Sequence, residues 1–148
     1  MRGLFKLIFH FPFTIYHFAM RFLALDIGTR RTGVAYLDTD VGIPLPLETV
    51  RHTTQEQLVD EVMRIILERK IDRVIVGLPL LLSGAEGGQS GIARATGALI
   101  EKAGVVVRYA DERFSTPGNS THKNVVSAQN YDGDAAAACS ILSGKIDY

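Results

Sequence analysis

Residues 21–38, RFLALDIGTRRTGVAYLD, constrain the fold more than any other stretch of the chain. Residues 21–26 form a short apolar run that ends in the carboxylate of Asp26, and residues 33–38 (GVAYLD) form a second β-rich run. With Gly28 between them, the two runs predict neighbouring strands joined by a tight turn. That turn gathers the Asp26 carboxylate, the Thr29 hydroxyl and the guanidinium groups of Arg30 and Arg31 at one end of a sheet. Guanidinium groups beside a carboxylate suit a phosphate backbone; an ordinary basic hairpin turn is the alternative.

The rest of the chain reads as alternating strands and helices. Residues 41–50 (VGIPLPLETV) predict a third strand, confined to a sheet edge because Pro44 and Pro46 lack an amide donor. Thr53 with Glu56, or Thr54 with Gln57, offers a capping box to QEQLVDEVMRIILERK. Within that helix the spacing turns Leu58, Val62, Ile65 and Ile66 inward and Asp60, Glu61, Arg64 and Glu68 to water. Residues 73–77 (RVIVG) are apolar throughout, as in a strand buried on both faces beside a parallel neighbour. Gly84, Gly87, Gly88 and Gly91 predict a loop over residues 80–91. A helix over 92–103 stopped by Gly104, a strand over 105–109 and a last helix from about Asp134 to Gly144 complete the pattern. The order βββαβαβα is that of an α/β, ribonuclease-H-like mixed sheet: three antiparallel strands, then parallel strands, with flanking helices.

Composition narrows the chemistry. The 148 residues are 47% hydrophobic, enough for one domain with a packed core, and 16 basic side chains balance 16 acidic ones. Any attraction for a polyanion must therefore be local. Residues 1–19 carry no acid, and their apolar stretch is broken by His10, Pro12, Thr14, Tyr16 and His17. This suits neither a membrane span nor a signal peptide with a small-residue cleavage site. We read 1–19 as a leader or peripheral extension, with Met20 as the preferred start, ahead of a single domain over 20–148. Without Arg2 and Lys6 that domain carries 14 basic and 16 acidic residues, a formal charge of −2.

A lone cysteine, Cys139, excludes a disulfide framework and fits an apolar helix face in a reducing cytoplasm. The four histidines, His10, His17, His52 and His122, lack zinc-ligand spacing, and no Walker-type phosphate loop occurs.

The acids are better placed. Asp26 ends the first strand, Asp111 and Glu112 follow the strand ending at Tyr109, and Asp132 and Asp134 stand at the entry to the last helix. If the sheet forms as read, these positions converge at one end of it. Clustered carboxylates suit hard divalent cations, which in phosphoryl transfer activate water and stabilise the leaving oxygen. Taken singly, Asp134 reads as a helix cap and Asp111 and Glu112 as a solvated turn paired with Arg113.

Four motifs carry a resemblance: Asp26-Ile27-Gly28-Thr29-Arg30-Arg31-Thr32-Gly33-Val34-Ala35; Gly77-Leu78-Pro79 with Gly84 downstream; Asp111-Glu112-Arg113-Phe114-Ser115-Thr116; and Asp134-Ala135-Ala136-Ala137. In this order and spacing, over residues 20 to 144, the chain resembles the YqgF family, pre-16S rRNA nucleases related to RuvC-type Holliday junction resolvases. The resemblance implies a cytoplasmic hydrolase of ribosome biogenesis that trims the 5′ end of precursor small-subunit rRNA, and Mg²⁺ or Mn²⁺ as cofactor. It implies Asp26, Glu112 and Asp134 as the catalytic, metal-binding acids, with Asp111 and Asp132 as secondary candidates.

Thr29, Arg30, Arg31, Arg113, Ser83 and Lys123 are the candidate nucleic-acid contacts, joined by Ser90; Arg113 reads equally well as an ion-pair partner. The partner would be structured RNA or branched DNA, with no stable membrane association; a homodimer with paired sites would suit a four-way junction.

The stretch PGNSTHKNVVSAQNYDG departs from the family's pattern. Pro117-Gly118-Asn119 disfavours a helix after Thr116, and Lys123 is the one lysine where relatives carry a basic stretch. That departure keeps a non-catalytic nucleic-acid-binding module of the same fold as the rival reading.

Overall fold

The computed structural model describes residues 18–79, 83, 87–111 and 132–144; the expectations for Glu112, Arg113 and Lys123 lie outside the described residues. Strands β1 (Arg21–Ile27) and β2 (Arg31–Asp38) are followed by two short strands, β3 (Leu45–Pro46) and β4 (Val50–Arg51). Helix α1 (Gln55–Arg69), strand β5 (Arg73–Leu78), helix α2 (Gly88–Lys102), strand β6 (Val106–Asp111) and helix α3 (Gly133–Ser143) complete the order.

The sheet runs β3-β2-β1-β5-β6, with β4 also on β2. β2 pairs antiparallel with β1, β3 and β4, whereas β5 is parallel to β1 and β6. This is the mixed α/β arrangement expected from the sequence, and it sends the C-terminal ends of β1, β5 and β6 to the same edge of the molecule.

Alternation along the strands divides the core in two. On one face Leu23, Leu25 and Ile27 of β1 pack with Val74, Val76 and Leu78 of β5 under Leu58, Val62, Ile65 and Ile66 of α1 and Ala93 and Ile100 of α2. On the other, Phe22, Ala24, Ala35, Leu37 and Ile75 meet Ala138, Cys139, Ile141 and Leu142 of α3. Each fully buried large side chain, such as Leu23 or Phe22, contributes about 1.5–3 kcal/mol. Ala24 and Ala35 are short, as is Ala138 opposite them, so α3 can lie close to β1 and β2.

Three local expectations are corrected. The third strand is two short pieces, and Pro46 sits in the first of them opposite Ala35 at the sheet edge, where its missing amide costs no ladder bond. The glycine-rich loop ends sooner than expected, because α2 begins at Gly88 rather than Ile92. Its first turn is held by burial of Ser90, whose hydroxyl donates to the Pro79 carbonyl, a long-range contact that outweighs the poor helix propensity of glycine. The strand expected over 105–109 runs on to Asp111, in register with Leu78 of β5. Of the two capping boxes, half of the Thr54–Gln57 one forms: Thr54 Oγ1 accepts from the Gln57 amide at 3.2 Å, while Gln57 Oε1 accepts from the Thr53 amide at 3.0 Å rather than from that of Thr54.

Candidate active site

Asp26 is the last acid-bearing position of β1 and pairs in register with Gly33 of β2. By alternation it belongs to the face of Phe22 and Ala24, the face covered by α3. The turn beyond it closes with the Gly28 amide donating to the Arg31 carbonyl at 2.9 Å. A Cβ at Gly28 would lie 2.6 Å from that carbonyl oxygen, so the tight turn needs glycine there.

The N-terminus of α3 reaches the same place. A Cβ on Gly33 would stand 1.9 Å from the Asp134 carbonyl oxygen, so the first turn of α3 rests on the bare backbone of Asp26's own register partner. The structure thereby brings the backbones of Asp26 and Asp134, 108 positions apart in the sequence, to the same glycine, one beside it in the sheet and the other over its face.

Asp132 is the helix N-cap, but its side chain bonds no helix amide; it pairs instead with Arg31 Nη2. Arg31 Nε lies 2.8 Å from Asp134 Oδ2, although buried and not aligned for a hydrogen bond with it. All three side chains are about two-fifths exposed, so the cluster opens to solvent.

Asp111 reaches the same edge of the sheet, two strands from Asp26 and opposite Leu78. Its parity is that of Val107 and Tyr109, which pack in the α1/α2 core, whereas Ala110 belongs to the α3 core. Asp111 thus has the parity of the face away from Asp26 and Asp134. Among the described residues no three His, Cys, Asp or Glu side chains form a group that could hold a metal ion. Glu112 lies outside them.

Thr29 and Arg30 are exposed at the turn, and Ser83 is exposed after β5. Ser90 is different: it is fully buried and its hydroxyl is spent on Pro79, so it is withdrawn as a phosphate donor.

Two neighbours were missed by sequence reasoning. The β2–β4 register sets exposed Arg51 opposite Arg31, and the buried His52 donates its amide to the Arg30 carbonyl at 3.0 Å while Nε2 meets Thr32 Oγ1 at 3.1 Å. Only strand pairing places them here; no motif marks either. A groove of about 810 Å³ between β4 and α1, lined by Arg51, Arg64, Arg69, Glu48 and Glu68 among others, contains neither Asp26 nor Asp134 and is not the acid site. No helix among the described residues is long and apolar enough to cross a membrane.

The family model described as RuvX, Holliday junction resolvase, matches residues 20–148. A protein of Anaeromyxobacter sp. (strain Fw109-5) named "Putative pre-16S rRNA nuclease" is 37% identical over 133 residues, covering 86% of this chain and 97% of its own length. One of the same name from Pelagibacter ubique (strain HTCC1062) is 33% identical over 134 residues, covering 87% and 89%. Among solved structures, Thermus thermophilus RuvC in complex with a Holliday junction substrate superposes with a TM-score of 0.60 at 16% identity, over 83% of this chain and 90% of that one. At that identity the likeness is one of fold, and the fold is ribonuclease-H-like. The ordered motifs, the meeting of β1, β2 and α3 and the match along residues 20–148 lead to one conclusion: the chain belongs to the RuvX (YqgF) family of Holliday junction resolvase-like nucleases.

Proposed function

We propose that this protein is a metal-dependent endonuclease that hydrolyses phosphodiester bonds, acting in the 5′ maturation of pre-16S rRNA in the cytoplasm. The single observation that carries the reading is the packing of Asp134's backbone onto Gly33, the register partner of Asp26. Two acids from distant parts of the chain are thereby carried at neighbouring backbone positions, on the sheet face that α3 covers.

The donor set fits a hard divalent cation: it is carboxylate oxygen, without His or Cys, and the site already receives positive charge in the Arg31 guanidinium between Asp132 and Asp134. Asp26, Asp134 and Glu112 would hold Mg²⁺ or Mn²⁺, Glu112 by its family motif. When bound, such a cation supplies activation of the attacking water and stabilisation of the leaving oxygen. Asp111 and Asp132 are left outside this set. Exposed Thr29, Arg30 and Arg51 would contact substrate phosphates flanking the scissile bond, fixing its position before cleavage. Ser83, and by their sequence motifs Arg113 and Lys123, are further proposed contacts.

Branched DNA is the second reading, favoured by the family's description and by the RuvC fold; it would call for a homodimer with two sites. The test is cleavage of a precursor rRNA leader and a four-way DNA junction in parallel with Mn²⁺ or Mg²⁺, with Asp26→Asn as control. Cutting of the rRNA leader that disappears in Asp26→Asn, with folding and most binding retained, is expected. Preference for the junction would select the second reading, and binding without cleavage of either would select the non-catalytic module.

A further inference from the structure

Arg31 occupies a position at odds with a simple phosphate contact. It opens β2 at the turn, where its guanidinium faces two carboxylates of α3 at once, Asp132 through Nη2 and Asp134 through Nε. Asp132 forgoes the usual capping of its own helix to make this pair. Resting on the metal-binding role proposed above for Asp134, we infer that Arg31 is a place-holder cation: it neutralises the α3 acids while no divalent cation is bound and is displaced when one arrives.

The physical argument is one of charge and valence. The Asp134 carboxylate cannot serve the guanidinium and a divalent cation equally, because two positive groups sharing one acid repel in a partly dehydrated site. Without either, Asp132 and Asp134 would repel each other at the point where α3 must rest on Gly33. Arg31 therefore keeps the site assembled while it is empty of metal. Its displacement frees a guanidinium beside Arg30 and Arg51, at the edge where substrate phosphates would lie. By linkage, metal and nucleic acid then strengthen each other's binding.

The test is titration of the full chain with Mn²⁺ by calorimetry, alongside thermal unfolding with and without Mn²⁺. Arg31→Gln is expected to bind Mn²⁺ about five-fold or more tightly than the parent, to melt at a lower temperature without metal, and to recover more of that loss than the parent gains when Mn²⁺ is added. Arg30→Gln removes the same charge one residue away and controls for a general field effect; it should shift Mn²⁺ affinity far less. Equal or weaker Mn²⁺ binding by Arg31→Gln, or an equal gain in Arg30→Gln, overturns the inference. Should Arg31→Gln fail to fold without metal, Arg31→Lys carries the comparison: it keeps the charge but loses the fork, and tighter Mn²⁺ binding supports competition while unchanged binding refutes it. A parent that binds no Mn²⁺ defeats the metal-dependent reading and this inference together. A parent whose Mn²⁺ binding is lost in Asp26→Asn but unaltered in Arg31→Gln defeats this inference alone.

Discussion

Gly33 touches the backbone of Asp134 so closely that even a methyl group has no room, because the atoms it would meet are main-chain atoms that cannot swing aside. Gly33→Ala should therefore push α3 off β2. A loss of about 1–3 kcal/mol by denaturant unfolding is expected, together with loss of cleavage, since Asp134 leaves the Asp26 side. A stable, fully active Gly33→Ala protein would show that the α3 contact does not position the site. At this scale much was legible from the sequence: Asp26 and Asp134 stand in recognisable local motifs. Ser90 was misread because its role depends on the Pro79 carbonyl, eleven residues back across a loop. Arg31 was legible as a cation near acids, but which acids it would meet was not.

The short strand β4 matters beyond its two residues, since it carries Arg51 and ends at His52, which ties β4 to the turn through the Arg30 carbonyl and Thr32. Burial lowers the His52 pKa below its ordinary 6.5. The proton is thus bound more readily in the unfolded chain than in the folded one. Stability from this group is complete above about pH 6.5 and is lost as the pH falls through the depressed folded value. Urea midpoints at pH 7.5 and pH 5 should fall more for the parent than for His52→Gln; an equal fall in both would assign the acid sensitivity to other groups. Elements were legible where one periodicity ruled, as in α1, whose Thr54 cap and inward Leu58, Val62, Ile65 and Ile66 follow from spacing. They were less legible in α2, whose start among Gly88 and Gly91 was set by packing rather than propensity.

Across the whole molecule, the sheet carries two cores, and α3 closes the smaller one. Cys139 lies within it, and burial pushes its thiol up to about 11, so near neutral pH it is both hidden and protonated. Thiol-reagent labelling at pH 8 then reports detachment of α3 from the sheet. Leu142→Ala removes apolar contacts from this core and should cost about 2–5 kcal/mol. If α3 opens on its own, Cys139 labelling should accelerate about thirty-fold or more, while amides of β1 and β5 keep their protection from hydrogen exchange. Equal loss of protection in β5 would instead mean that both cores open together.

Although the splitting of the third strand into β3 and β4 was not legible in the chain's own pattern, the helix order, the antiparallel-then-parallel character of the sheet, the family, and which acids and arginines could carry chemistry were. These depend on near-neighbour periodicity and on motifs contained within a few residues. Register and packing set the rest: the backbone of Asp134 rests on Gly33 beside Asp26, Asp111 has the parity of the opposite face, Arg31 pairs with the acids of α3 and Arg51 stands opposite Arg31. Those facts depend on register and on one helix's approach to a sheet, and a one-residue slip in register would move every side chain of a strand to the other face without altering any local pattern.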